Sequence, residues 1–260
     1  MQSNALTPHQ HVANFKQLEA LFWKSLSIQS QQISNGVACY LSENKGLGFN
    51  YLFVHDTASV AALQQGIAFF AQHQAEYILV CESDLTELLD EIQRLSFEDD
   101  GRTTAMQLDL NLVQPQINQN HALTIRMVNQ QLDLWANPLQ TAFPVGDVDL
   151  IPCLIRAHQR ALDQNIEMYH FVLEDQGQPL TALTLSIDQE IARLDDIGTN
   201  VAFQGKGYAT QLIQHALAFA QQHGVKYCYL EASEQGLAIY QKIGFKALFN
   251  NENFVQVHLG

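Results

Sequence analysis

The chain has 260 residues, 47% of them hydrophobic, enough to bury one large core or two modest ones. Its formal net charge of −14 excludes a general affinity for nucleic acid or anionic lipid, since both demand a basic field. No stretch approaches the roughly 18 uninterrupted apolar residues of a membrane span, and the opening MQSNALTPHQHVANF has no apolar signal region, so a soluble cytoplasmic protein is expected.

Strand and helix signals alternate in both halves, the pattern of layered α/β domains. In the first half AFFAQHQAEYILVCES (68–83) reads as a helix followed by a strand. A polar stretch, NLVQPQINQN (111–120), follows, in which Pro115 breaks any regular element. Beyond it LTIRMV, YHFVLE, LTALTLSI, IARLDDIGT and KYCYLEA read as strands, with helices expected around 148–163, 207–223 and 235–243. Leu212, Ile213, Ala216, Leu217 and Ala220 form one apolar helical face suited to packing on a sheet. GFKALFNNENFVQVHL then reads as two strands around an Asn-rich turn.

The chain also resembles itself. AFFAQHQAEYILVCES lies over AFAQQHGVKYCYLEAS (218–233) with six matches in sixteen, and QRLSF (93–97) lies over QKIGF (241–245). Two related halves are predicted, 1–118 and 119–260. Cys39, Cys81, Cys153 and Cys228 share no C-x-x-C spacing, which points to small core residues and away from a zinc site or disulfide framework. The ten histidines show no metal-ligand spacing either, and read as surface or core residues; no metal is expected.

AFQGKGYATQL (202–212) sets two glycines at the mouth of a helix. A strand ending at IGTNV, a Gly-x-Gly turn and a helix N-terminus converge free N–H groups at the positive end of the helix dipole, an anion cradle suited to phosphate. Glycine is needed so that the backbone can take positive φ and a ligand can approach it closely. Two phosphate motifs fail on spacing. A Walker A loop needs Ser or Thr after Gly-Lys, where Gly207 stands, and the dinucleotide fingerprint needs Gly or Ala where Thr210 stands.

Gln204-x-x-Gly207-x-Ala209, followed by a helix, a strand and YQKIGF, resembles the acetyl-CoA signature of the Gcn5-related N-acetyltransferases (GNAT). Tyr240 with Gly244 and Phe245 adds to the resemblance. It implies an α/β (α+β) fold of two GNAT-like domains, each a mixed, mainly antiparallel sheet flanked by helices, the first degenerate. It also implies acetyl-CoA as cosubstrate, gripped by Gln204, Gly205, Lys206, Gly207, Tyr208, Ala209 and Thr210 after the strand residues Ile197, Gly198 and Thr199. Ser233 stands where many members carry an Asn that bonds the pantetheine arm, and a hydroxyl can make a similar contact. Arg193 stands where several members hold a Glu general base, so a base must come from elsewhere.

An amine cannot attack a thioester until it loses a proton. Asp195 and Asp196 are the nearest carboxylates: Asp195 shares the face of Arg193 in a regular strand, whereas a bulge presents Asp196. The thiolate leaving group has a pKa of about 8–9, which a phenol near 10 can protonate, and Tyr240 matches the position of the family's general acid. In the first half the corresponding loop reads VHDTAS (54–59), without glycine, and Ile92 replaces Tyr240, so one CoA site per chain is expected.

Residues 197–260 carry a net +1 and the preceding residues −15, so an amine approaching from that side meets a negative field that favours cationic acceptors. LDLWANPLQTAFPVGDVDL (132–150), with Trp135, Phe143, Asp147 and Asp149, is expected to wall the acceptor site. The resulting expectation is an acetyl-CoA-dependent N-acetyltransferase acting by direct attack in a ternary complex. The alternative is a CoA-binding or regulatory module without turnover. Neither the acceptor nor the oligomeric state is written in the sequence.

Overall fold

A computed structural model describes residues 6–95, 97–116, 123–143 and 150–256. The first half runs α1 (Pro8–Leu26), β1 (Gln29–Ser34), β2 (Val37–Leu41), β3 (Tyr51–Val54), α2 (Val60–His73), β4 (Ile78–Glu82), α3 (Thr86–Arg94) and β5 (Phe97–Asp109). The second runs β6 (Leu123–Met127), α4 (Leu132–Ala142), α5 (Leu150–Asp163), β7 (Met168–Asp175), β8 (Gln178–Asp188), β9 (Ile191–Thr199), α6 (Tyr208–Gln222), β10 (Tyr227–Ser233), α7 (Leu237–Ile243) and β11 (Lys246–Gln256). From β1 and β7 onwards the two lists have the same order, as the internal repeat predicts. Among the described residues no helix is long and apolar enough to cross a membrane.

The mixed sheets of the two halves join into one sheet of 11 strands, ordered β1-β2-β3-β4-β11-β5-β10-β9-β8-β7-β6. Their last strands are exchanged. β11 lies between β4 and β5, antiparallel to both, and β5 lies between β11 and β10. Each half therefore completes its sheet with the other's final strand.

Side chains on the middle strands are buried on both faces, which is why LTALTLSI reads as a continuous apolar run. Leu183 and Leu185 meet Leu212, Ile213, Ala216 and Leu217 of α6 on one face, as the helical spacing predicts. On the other, Val172 and Ala182 pack under Leu132, Trp135, Ala136 and Leu139 of α4. Helix α4 is absent from the predicted helices because Pro138 lies inside it. Its apolar residues nonetheless recur at helical spacing, and that face holds it on the sheet. Helix α1, capped by a Thr7 capping box, crosses from the first half and seats Phe15 and Leu18 against Ala105 and Tyr229.

The C-terminal segment also departs from expectation. The two strands predicted around an Asn-rich turn are a single strand, β11, with irregular register between Ala247 and Phe249 and between Glu252 and Phe254. The asparagines find partners inside the sheet and do not turn the chain: Thr104 Oγ1 donates to Asn250 Oδ1 at 2.9 Å, and Asn251 Nδ2 donates to Glu231 Oε1 at 2.7 Å.

Strand exchange predicts that neither half is stable alone. Residues 1–116 lack β11 and residues 123–260 lack β5, so each fragment should melt without a cooperative transition by circular dichroism, and mixing the two should restore one. Two separate cooperative melts would show instead that each half closes its own sheet.

Candidate active site

The site begins with a gap in the sheet. Strands β9 and β10 pair in parallel only over Ile191–Leu194 and Tyr227–Leu230. Just beyond, Ala182 and Thr184 of β8 face Gly198 and Asp195 of β9, so β9 spends three steps where β8 spends two. This is the bulge that the sequence left open, and Asp196 sits on it at φ 51°, in the left-handed region that Asp tolerates better than most residues. Past the bulge the facing edges of β9 and β10 diverge into a wedge. The equivalent strands of the first half, β3 and β4, pair over the same length, from Tyr51–Ile78 to Val54–Cys81, but β3 ends there and has no stretch that runs on beyond its pairing as β9 does.

At the outer end of β9 the Gly-x-Gly loop takes the backbone expected of it. Gly205 and Gly207 have φ 77° and 78°, and nothing lies within 4 Å of where a Cβ would project from either. Gly207 is the N-cap of α6 and no side chain caps that helix. Its first helical bond runs from the Gln211 amide to the Gly207 carbonyl, 3.1 Å, so the amides of Tyr208, Ala209 and Thr210 have no carbonyl ahead of them. Gln204 donates from Nε2 to the Thr199 carbonyl at 3.1 Å, bracing the turn, and Lys206 lies 5.4 Å over the Phe203 ring. In the first half Ser59 caps α2 with its own hydroxyl, and a Cβ on Gly36 would stand 2.5 Å from the Ala58 amide, so that loop is packed down.

At the inner end of the wedge lies a cavity of about 650 Å³ between the two halves. It brings together Asp195, Asp196 and Ile197 of β9, Ser233 of β10 and Tyr240 of α7. Gly198, Thr199, Gln204 and the loop through Thr210 lie outside its lining, farther along the same strand and turn. Gly198 also serves packing, because a Cβ there would meet Leu139 at 2.7 Å. Of the expected acceptor wall, Phe143 lines the cavity, while Trp135 is fully buried under α4 and lines nothing. The α4 periodicity turns the indole inward. Asp147 and Asp149 lie outside the described residues.

The charges divide by role. Arg193, 2% exposed, donates from Nε to Asp195 Oδ1 at 2.8 Å, has a second nitrogen 3.8 Å from Glu231 Oε2, and lies 4.9 Å over the Phe15 ring. Asp195 is thus committed to a buried ion pair. Asp196 has no such partner: burial, then the Asp195 charge, push its carboxyl up to about 7, while the Thr184 hydroxyl and Arg193 pull the other way. Burial and the Asp195 charge also push the Tyr240 phenol up to about 12, so it stays protonated, and its hydroxyl bonds no described residue.

Glu231, half-buried at the cavity wall and held by Thr103 and Asn251, is a site residue that the sequence reading missed. A lone carboxylate in the apolar run YCYLEAS is the signal that could have found it.

A carboxyl held above its ordinary value of 3.8 favours the folded state at low pH, and that contribution is lost as pH rises through about 7. Asp196→Asn keeps a residue that accepts positive φ and removes the charge. It should melt several degrees higher than the parent near pH 8 and much as the parent does near pH 4. Equal melting temperatures near pH 8 would show that the buried carboxylate costs nothing.

Residues 133–245 match the model of the acetyltransferase (GNAT) family. No curated protein matches the chain in sequence. Among solved structures the chain is similar to a GCN5-related N-acetyltransferase from Kribbella flavida, at 12% identity and a TM-score of 0.67, over 98% of this chain and 97% of that one. It is similar also to a functionally unknown conserved protein from Staphylococcus epidermidis, at 14% identity and a TM-score of 0.65, over 90% of this chain and 96% of that one. A tandem GNAT protein from the clavulanic acid biosynthesis pathway, at 11% identity and a TM-score of 0.61, is covered over 96% of each chain. These three are likenesses of fold. The segment 133–245 is a domain of the acetyltransferase (GNAT) family, in a chain that shares the fold of GCN5-related N-acetyltransferases over nearly its whole length.

Proposed function

We propose that the protein is an acetyl-CoA-dependent N-acetyltransferase that passes acetyl directly to an amine in a ternary complex. The observation that carries this reading is the wedge between β9 and β10. It links an open cradle of amides at one end to a cavity holding an unpaired carboxylate and a protonated phenol at the other. The amides from Gly205 to Thr210 suit the CoA pyrophosphate at the positive end of α6. The free edge of Ile197, Gly198 and Thr199, with Ser233 opposite, suits the amide groups of the pantetheine arm.

Asp196 takes the base role, because Asp195 is tied to Arg193. It removes a proton from the ammonium, and the freed electron pair attacks the thioester carbonyl. As the tetrahedral centre collapses the C–S bond breaks, Tyr240 protonates sulfur, and the nitrogen loses its second proton, for a net release of one. The burial that raises the phenol raises a thiol held beside it as well, which keeps that transfer within reach.

The acceptor is read as a cationic amine. Glu43, Asp100, Asp195, Asp196 and Glu231 line the cavity against Arg160 and Arg193, and Trp23, Tyr51 and Phe143 offer aromatic faces. In this reading residues 119–260 hold the chemistry, and 1–118, a degenerate GNAT-like half, supplies one wall of the acceptor site.

Thiol release from acetyl-CoA, measured against a panel of polyamines, aminoglycosides and basic peptides, tests the reading. Tight acetyl-CoA binding without transfer to any of them would identify a CoA-binding module instead. Gly207→Val, which places a branched side chain in the open cradle, should abolish acetyl-CoA binding by calorimetry in a protein that still melts cooperatively; unchanged affinity would remove the cradle from the account. Tyr240→Phe should lower kcat by roughly 10²–10⁴ with CoA affinity little altered. A loss confined to KM would make Tyr240 a binding residue.

A further inference from the structure

Beside Asp196 two histidines are enclosed in the core, and one of them, His158, also belongs to the cavity lining. His158 of α5 and His170 of β7 are both fully buried, packed around Trp135 at ring-centroid distances of 4.3 and 4.8 Å. His158 Nδ1 lies 2.8 Å from His170 Nε2, and His170 Nδ1 lies 3.1 Å from Asn129 Oδ1.

The backbone fixes where their protons sit. Asn129 Nδ2 donates to the Met168 carbonyl at 2.8 Å and Asn129 Oδ1 accepts from the His170 amide at 2.8 Å, so the side-chain amide has one orientation. An oxygen facing His170 Nδ1 requires N–H there, which leaves Nε2 of that neutral ring as an acceptor. His158 Nδ1 must then carry the proton donated to it, and His158 Nε2 is left bare. That bare nitrogen is buried without a hydrogen-bond partner and points at Asp196 Oδ2, 3.5 Å away, itself buried and unpartnered.

We propose that Asn129, His170 and His158 form a tautomer relay that presents a bare imidazole nitrogen to Asp196, so that the Asp196–His158 pair holds the proton taken from the acceptor amine. This rests on reading Asp196 as the base. An N–H bond of the ammonium breaks, its electron pair stays on nitrogen, and an O–H bond forms on the carboxylate. The carboxyl hydrogen on Oδ2 is accepted by His158 Nε2, and the proton returns to solvent through the cavity once product has left. His158 is a positioning residue: it stays neutral and makes the protonated form of Asp196 the favoured one.

The surrounding charges agree with that assignment. Burial, with His170 beside it, holds His158 well below the ordinary imidazole value, and burial pushes His170 down to about 3. Around Asp196 stand Asp195 and Arg193 on β9, Thr184 on β8 and Tyr51 from β3. Glu19 of α1 and Glu231 of β10 act on Arg193. On α5 itself Arg160 is turned away, donating to the Leu26 carbonyl at 2.7 Å. Among the described residues no cation lies between the carboxyl and the imidazole.

Nuclear magnetic resonance on the full-length protein tests this without any ligand. Long-range ¹H–¹⁵N spectra should show both histidines neutral with the proton on Nδ1 from about pH 5 to 8. The Asp196 carboxyl, followed by ¹³C, should titrate near neutrality. His158→Phe removes the acceptor and His170→Phe releases the tautomer, so the Asp196 midpoint should fall in each by about one unit or more. His158 found as the Nε2–H tautomer or as imidazolium at neutral pH in the parent protein would overturn the relay, and so would an Asp196 midpoint unmoved in a folded His158→Phe. If either variant fails to fold, the parent's tautomer still decides. A relay present in a protein that transfers no acetyl group would overturn the proposed function and, with it, the relay's part in transfer.

Discussion

One extra residue in β9 governs the second half of the molecule. Without the bulge at Asp196, β9 would keep its regular alternation beside β8; in the first half β3 ends where its pairing with β4 ends, and no strand runs on past it. With it, the strands part, a free edge appears on each side of the wedge, and a carboxylate leaves the regular alternation to stand between cavity and core. The position carries a backbone conformation uncommon outside glycine and an acid buried without a cation, two costs in one place. Such costs collect where a protein acts more often than where it is merely held together.

The two halves form a comparison made inside one chain. In the first, every strong charge near the equivalent loop is answered. His55 lies 2.8 Å from Glu19 and 2.9 Å from Glu82, and Lys16 lies 2.6 Å from Glu82. Against burial, which would lower it, those carboxylates push His55 up to about 9 and fix it as a cation. The helix that follows is capped by its own serine, and Ile92 fills the core where Tyr240 stands in the other half. In the second half the helix is uncapped, the carboxylate is unanswered and the phenol faces a cavity. The scaffold is shared, and only one copy leaves its polar groups free to meet something else.

Local chemistry was legible in the sequence, and long-range pairing was not. The Gly-x-Gly turn, the apolar face of α6 and the kinship of 68–97 with 218–245 all depend on neighbours within a few residues, and each appears where the pattern places it. A bulge at Asp196 could be framed as an option, because alternation along IARLDDIGT puts one of two adjacent acids on the wrong face. The exchange of β5 and β11 has no local signature, since an alternating strand carries no label for its partner. The histidine relay escaped for a related reason. His158 shares a helical face with Leu154 and Ala161, and His170 alternates with Met168 and Val172, so both can be read as inward-facing. That their rings meet, and in which protonation state, depends on how α5 lies across β7 and on Asn129, 41 residues before His170.

The exchange of final strands also bears on the order in which the molecule can be made. β11 leaves the ribosome more than a hundred residues after β4 and β5, yet it lies between them in the interior of the sheet. Until it arrives, β4 and β5 each present an open apolar edge to the cell, and the first half must wait for the second to be translated in full. Contacts this distant along the chain make for slow closure and a long exposure to mispairing. A chain with this topology should therefore lean on chaperones while it is being made, however stable the finished sheet.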